Sequence, residues 1–362
     1  MENLLGKAVC AAVAGVAACG GAAVHAQQTS VFESAPAEGT QQETVALKLA
    51  APKRFFARVG YTYIKPNTRS SETKDISGPV IDYGEIRNGG YTYANPFTGV
   101  IVGAGLDAAM QYDGISGLGI PSGVKAEAKG AGTPTVELGM FLDEEQKWAV
   151  QGYVLAIPFD NSIEGRGTVT HRDINTGAVV LTKRNYLDGK TVVKTKQLPP
   201  TFVLNRYFGE RNAKWRPSVG VGVTYAIFFE SEATDVLNEY SGGKTEVKIK
   251  NAFGAGPFVG LQYQLTDNIH ISGALGYIKL KTEAKLTTAN TRFTAASPVL
   301  TDYSGAVGTT NQGMINTSQR PLVDDMLATI AAARGGSLGT YTRVMKTELD
   351  PWVFNVSVGY SF

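Results

Sequence analysis

Few residues in this chain have the types and spacing that catalysis or metal binding requires. The three histidines, His25, His171 and His270, lie far apart with no ligand-spaced neighbour, so no metal centre is expected. The acidic groups Asp143-Glu144-Glu145, Glu230, Glu232 and Asp324-Asp325 have no nucleophile, base and orienter around them. A solvated turn accounts for the first group, and charges at a helix N-terminus account for Asp324 and Asp325. Val100-Ile101-Val102-Gly103-Ala104-Gly105-Leu106-Asp107-Ala108 has the outline of a dinucleotide-binding turn. That mechanism needs a helix opening at the glycines, and Tyr112-Asp113-Gly114 with further glycine cannot sustain one. No cofactor and no enzymatic activity are expected.

Two charges remain that need a physical explanation. Arg58 and Glu137 fall on the polar faces of alternating segments that should be neighbours. If the opposite faces meet lipid, both must point inward, because an Arg at mid-membrane costs roughly 2–4 kcal/mol. They are expected to form a lumen charge pair. Arg206 shares its parity with Phe202 and Leu204, so it must sit near an interface where it can snorkel.

The elements carrying these residues alternate with period two. Strands are expected over about 55–64, 135–142, 148–157, 201–208, 216–228, 253–265, 269–281 and 352–362. In the last of these, Trp352, Phe354, Val356, Val358, Tyr360 and Phe362 share one face, while Asn355, Ser357, Gly359 and Ser361 share the other. No amphipathic helices follow the strands to cover the apolar rows, so a bilayer must cover them. Short polar turns (143–147, 209–214, 266–268) alternate with long connections at about 66–134, 158–200, 229–252 and 282–350. That rhythm predicts an all-β fold: an eight-stranded antiparallel transmembrane β-barrel with short periplasmic turns and long outer loops. Pro321 with early acids, and Arg334 followed by Gly335-Gly336, predict a short loop helix in the last connection. Aromatic residues near strand ends, including Phe55, Trp148, Trp215, Phe228 and Trp352, suit interfacial girdles.

Composition agrees with this architecture. Glycine is abundant (42), charged residues make up 18%, and the net charge of +2 gives no argument for nucleic acid. Residues 1–26 read as a signal peptide, with Lys7, an apolar run over 8–18 and a small-residue site at Val24-His25-Ala26. Val16-Ala17-Ala18-Cys19 also fits a lipoprotein box, which leaves lipidation of Cys19 open. Both cysteines, Cys10 and Cys19, belong to this leader, so the barrel has no thiol. Residues 27–52 form a polar periplasmic lead-in, and 53–362 the barrel.

Several short motifs recur in order along the strands. They are Phe55-Phe56-Ala57-Arg58-Val59-Gly60 with Lys65-Pro66, Leu198-Pro199-Pro200-Thr201, Tyr207-Phe208-Gly209, and Arg216-Pro217-x-Val219-Gly220-x-Gly222. Leu349-Asp350-Pro351-Trp352-Val353-Phe354 with Gly359-Tyr360-x-Phe362 completes the set. Together they resemble the OmpW family of outer-membrane proteins. The resemblance implies a cell outer membrane location and a narrow apolar channel that admits small hydrophobic solutes and releases them sideways into lipid. It also implies an aromatic gate at Phe253 with Val136 as apolar partner, and Phe228 is a further candidate for the lining. The expected partners are outer-membrane lipid, the solute, and the barrel assembly machinery reading the strand that ends in Phe362. A surface binding or adhesion protein, with enlarged loops on a barrel anchor, is the alternative. The chain exceeds the usual family length in its first and last outer loops.

Overall fold

Alternating apolar and polar residues leave a strand with two unlike faces, and here the strands pair until no edge of the sheet remains. The computed structural model describes residues 53–78, 80–82, 117–118, 123–172, 178–303 and 320–362. The expected signal peptide, Cys19, the lead-in and the glycine motif at 100–108 lie outside the described residues.

The strands begin with β1 (Phe55–Lys65), β2 (Arg69–Ser70), β3 (Lys74–Asp75), β4 (Ile81–Asp82), β5 (Gly117–Leu118), β6 (Lys125–Ala128) and β7 (Ala131–Phe141). Next come β8 (Trp148–Leu155), β9 (Phe159–Arg166), β10 (Thr168–Arg172), β11 (Val179–Arg184), β12 (Thr191–Leu198), β13 (Thr201–Tyr207) and β14 (Trp215–Ala233). The chain closes with β15 (Thr245–Ile249), β16 (Ala252–Gln264), β17 (Ile269–Tyr277), β18 (Lys279–Thr288), β19 (Tyr341–Glu348) and β20 (Trp352–Ser361). Three helices, α1 (Asp235–Ser241), α2 (Pro298–Tyr303) and α3 (Arg320–Ala333), stand among the described residues.

A closed barrel follows from the pairing. β1 pairs with β20 on one side and β7 on the other. From β7 the antiparallel neighbours run through β8, β13, β14, β16 and β17 back to β20. Closure removes every unpaired edge, which is the condition for a sheet to survive in hydrocarbon. Side-chain polarity around this ring is inverted relative to a water-soluble fold. Val59, Phe202, Val221 and Val356 are each more than 60% exposed, whereas Arg58, Glu137, Asn205, Arg216 and Asn355 are buried. β20 has 10 residues, and a tilted strand needs roughly 9–11 to cross a bilayer.

A second set of pairings stands above the first. β9 pairs with β6 and β12, β14 with β12 and β15, and β18 with β15 and β19. β2 and β3 add to β19, and the gap from β2 to β6 is bridged by hydroxyls: Ala126 N donates to Ser70 Oγ and Ala128 N to Thr68 Oγ1. In this upper ring the polarity reverses. Lys248, Lys281 and Lys346 point out, while Val247, Leu280 and Met345 point in.

The strand count is therefore not a simple eight: the principal sheet has 16 strands. The expected strands are broken at one level, and proline marks several of the breaks. Pro66 separates β1 from β2, Pro158 β8 from β9, Pro199-Pro200 β12 from β13, and Pro351 β19 from β20. Proline has no N–H to give a ladder, so pairing stops and the strand can change direction there. β14 crosses this level unbroken, but Glu230 within it takes φ 49.

The expected outer loops are corrected in the same way. Their described parts hold β2–β6, β9–β12, the end of β14, β15, β18, β19 and all three helices, around a core that includes Leu237, Tyr240, Leu300, Met326 and Ile330. The predicted loop helix is present as α3, one of three helices rather than one alone. Its buried face is Val323, Met326, Leu327 and Ile330, the 3–4 spacing of an amphipathic helix, and Gly336 N closes its end on Ala331 O at 2.7 Å.

Candidate functional site: the lumen and its floor

The barrel interior has three levels, each set by which residue types the alternation turns inward. At the short-turn end lies an aromatic layer of Phe56, Phe141 and Tyr207. Phe56 and Phe141 rings are 5.2 Å apart, and the Arg216 guanidinium sits 5.0 Å from the Tyr207 ring.

Directly above is the Arg58 cluster. All five guanidinium N–H groups have acceptors within reach. Nε donates to His270 Nε2 at 2.9 Å. Nη1 donates to Gln151 Oε1 at 3.1 Å and Glu137 Oε2 at 3.4 Å. Nη2 donates to Tyr207 O–H at 3.2 Å and Gln262 Oε1 at 3.1 Å. These partners come from β7, β8, β13, β16 and β17, so one side chain on β1 ties together most of the ring. Glu137 Oε1 is buried without a hydrogen-bond partner, and only Oε2 answers the arginine. The two charged residues stand opposite each other in register on β1 and β7.

Over this floor, Tyr153 and Phe258 stack with ring centroids 6.5 Å apart. A small cavity of about 40 Å³ lies there, bordered by Leu155, Gln197, Pro199, Thr224, Phe258 and Leu280. The upper ring holds a larger one, about 90 Å³, lined by Val192, Phe228, Leu237, Val247, Ile249 and Met345 among others. Threonines, Lys125 and Asn161 are its polar lining, and Asn161 Oδ1 has no hydrogen-bond partner.

The residues expected to gate the channel are not brought together. Phe253 points outward, is 74% exposed and packs on Tyr225 at 4.5 Å. Its place on β16 gives it the outward parity of Ala255 and Pro257, so it cannot close the lumen. Val136 shares the outward parity of Leu138 and Met140 and likewise does not line the interior. Phe228 does border the upper cavity. Interior aromatics outside the expected lining include Phe56, Phe141, Tyr207, Tyr153 and Phe258; Phe258 lies an odd number of residues from Phe253 and so takes the opposite face. Arg206 is outward, with its guanidinium 5.0 Å from the Trp148 ring. His270 is in the floor, and the His171 side chain lies outside the described ones.

The wall is not uniformly sealed. β14 and β16 remain paired up to Ala226 opposite Ala252, and β14 meets β15 only at Glu232 opposite Glu246. Across the intervening stretch, the described contact is Phe228 N donating to Asn251 Oδ1 at 2.9 Å. Phe228, Val247 and Ile249 border this seam from the cavity side. A shorter interruption lies between β8–β9 and β12–β13, where Pro158, Pro199 and Pro200 fall.

Comparison with known proteins places this geometry in context. The sequence model of the OmpW family matches residues 100–299, more than half of the 362-residue chain. Outer membrane protein W of Vibrio cholerae is 34% identical over 91 residues, 25% of this chain and 41% of the relative. The protein of the same name from Salmonella typhimurium is 36% identical over 87 residues, 24% of this chain and 40% of the relative. The aligned part thus spans about two fifths of these relatives. Among solved structures, the outer membrane protein OprG from Pseudomonas aeruginosa superposes with a TM-score of 0.48 at 17% identity, covering 86% of this chain and 97% of that one.

Proposed function

Since the chain belongs to the OmpW family and is an outer-membrane β-barrel, we propose that it passively admits small hydrophobic molecules and releases them sideways into the membrane. In this reading the barrel spans residues 53–362. Joining each lower strand to the segment that continues it above the break gives eight long strands, with the short turns periplasmic and the upper ring outside. The observation that carries the proposal is the apolar cavity of about 90 Å³ seated above a hydrogen-bonded, charge-filled floor. An apolar solute gains by leaving water for such a cavity, about 25 cal/mol for each Å² buried. The same solute cannot continue downward without breaking the Arg58 cluster.

A way out is needed, and the unpaired seam between β14 and β15 supports one. It opens beside Phe228 at the level where the outer surface turns from charged to apolar. No bond need be made or broken in the solute, so we infer a conduit rather than an enzyme. Phe362 ends a fully paired strand and supports recognition of that strand during assembly.

The test is uptake into lipid vesicles with the purified chain, using solutes of equal size and graded polarity. Apolar solutes should enter several-fold faster than polar ones. Equal entry, or none above protein-free vesicles, overturns the reading. A second function, partner binding by the outer lobe, is supported by the core formed between its helices and upper strands, which makes it a shaped surface. Removing the lobe should abolish partner binding while leaving the lower ring folded if that function is the main one.

A further inference from the structure

On the outside of the upper ring, β2, β18, β19, the start of β16 and the link before it border a concavity of about 590 Å³. The uptake route makes no use of it. Four cations, Arg69, Lys250, Lys281 and Lys346, face two carboxylates, Glu283 and Glu348, so the groove carries a surplus of two positive charges. Strand register orders them in two rows. Arg69 is opposite Glu348, which is opposite Lys281; Lys346 is opposite Glu283, and Lys250 bonds that same carboxylate.

The bonded pairs are Lys281–Glu348 at 2.5 Å and Lys250–Glu283 at 2.7 Å. Each carboxylate is held below its usual range, first by its bonded lysine, with Arg69 contributing at Glu348 and Lys346 at Glu283. Both acids therefore stay ionised, and neither cancels more than one neighbour. Arg69 and Lys346 make no ion pair within 4 Å among the described contacts. Hydroxyls of Ser70 and Ser71 and the amide of Asn251 lie along the same wall.

Position decides what such a groove meets. Phe253 forms its lower rim, 74% exposed and packed on Tyr225. At a nearby strand pair, Trp352 and Tyr277 rings stand 4.9 Å apart. Aromatic pairs of this kind mark the membrane–water interface. Cations lining the same groove as that rim are at headgroup depth, where they attract anionic lipid. Below the rim, Val221 and Val223 offer a continuous apolar track on β14.

We propose that this groove binds the phosphorylated headgroup of an outer-leaflet lipid, with Arg69 and Lys346 as its principal phosphate contacts and Phe253 packing against an acyl chain. Arg69 supplies a planar fork suited to a phosphate and Lys346 a point charge. Such a lipid would sit against the wall next to the β14–β15 seam, and this assignment stands whether or not solutes leave there.

The test uses the full chain in nanodiscs of phosphatidylcholine doped with a lipid A-type diphosphorylated glycolipid, with retained lipid counted by native mass spectrometry. The Arg69→Gln/Lys346→Gln variant should retain at least about five-fold less glycolipid than wild type, with phosphatidylcholine retention unchanged. Lys125→Gln/Lys194→Gln removes the same charge elsewhere on the upper ring and should leave retention as it was. Equal retention by the groove variant, or an equal loss in the control variant, overturns a localised site. Inorganic phosphate displacing the glycolipid at millimolar concentration would make this a free-phosphate site and also overturn the assignment. Because both groove side chains are exposed and unbonded to carboxylates, thermal unfolding should match wild type, and a shifted midpoint calls for the single variants Arg69→Gln and Lys346→Gln. The same signs are expected there, and unaltered retention in both overturns the proposal.

Discussion

Arg58 is buried in the lumen with every N–H donor matched, and its partners reach it from around the ring. Removing the single carboxylate in that set leaves a buried charge balanced only by neutral dipoles. Glu137→Ala should therefore cost about 3–5 kcal/mol, read as a lower urea midpoint for unfolding from vesicles. Replacing both Arg58 and Glu137 by Leu removes charge and countercharge together and should recover much of that loss. A double variant as unstable as Glu137→Ala would show that the neutral partners, rather than the ion pair, hold the floor. Phe253→Ala gives a contrasting result. Its ring lies outside the wall, so the substitution should leave solute permeability unchanged, whereas a gate would leak.

At the scale of elements, the decisive feature is the level at which strands break and polarity reverses. β16 runs close to its neighbour just there: a Cβ on Gly256 would meet Tyr277 O at 1.8 Å. Such contact forces the strands apart, and β16 also carries Pro257, which cannot donate to a ladder. Gly256→Ala should lower the thermal midpoint of the barrel, or reduce its heat-resistant band on gels, more than Gly273→Ala, where a Cβ meets nothing within 4 Å. In the outer lobe, Ile330 of α3 is fully buried. Ile330→Asp places a charge in that apolar core at a cost of several kcal/mol. The lobe should become protease-sensitive while the lower ring stays protected. Joint loss of both would mean that the two rings fold as one unit.

The whole molecule joins two barrels of opposite polarity end to end, one solvated by lipid and one by water. On the proposed uptake reading, a solute enters the apolar upper cavity and meets the closed floor below. Widening the seam with Phe228→Ala should speed apolar uptake about two-fold, the effect of a barrier lowered by about 0.4 kcal/mol. Unchanged uptake would direct attention to the proline-marked seam between β8–β9 and β12–β13.

The alternating rows of the lower ring were readable in the sequence because lipid on one side and a narrow lumen on the other impose a strict period of two. Phe354, Val356 and Val358 against Asn355, Ser357 and Gly359 already state which solvent each face meets. Arg58 and Glu137 were legible as inward charges for the same reason. The upper ring was not, although Lys279, Lys281 and Lys285 alternate with Leu280, Ala284 and Leu286. Its polarity is that of a water-soluble sheet, and the prolines between the rings resemble loop boundaries, so strands there passed for outer loops. The placement of Phe253 depended on parity around the ring, which only closure and register fix, and those come from non-local pairing. Local alternation determined the membrane solvent of this protein; the tertiary structure decided where that solvent stops, because polarity reverses at a level set by strand partners far apart in the chain.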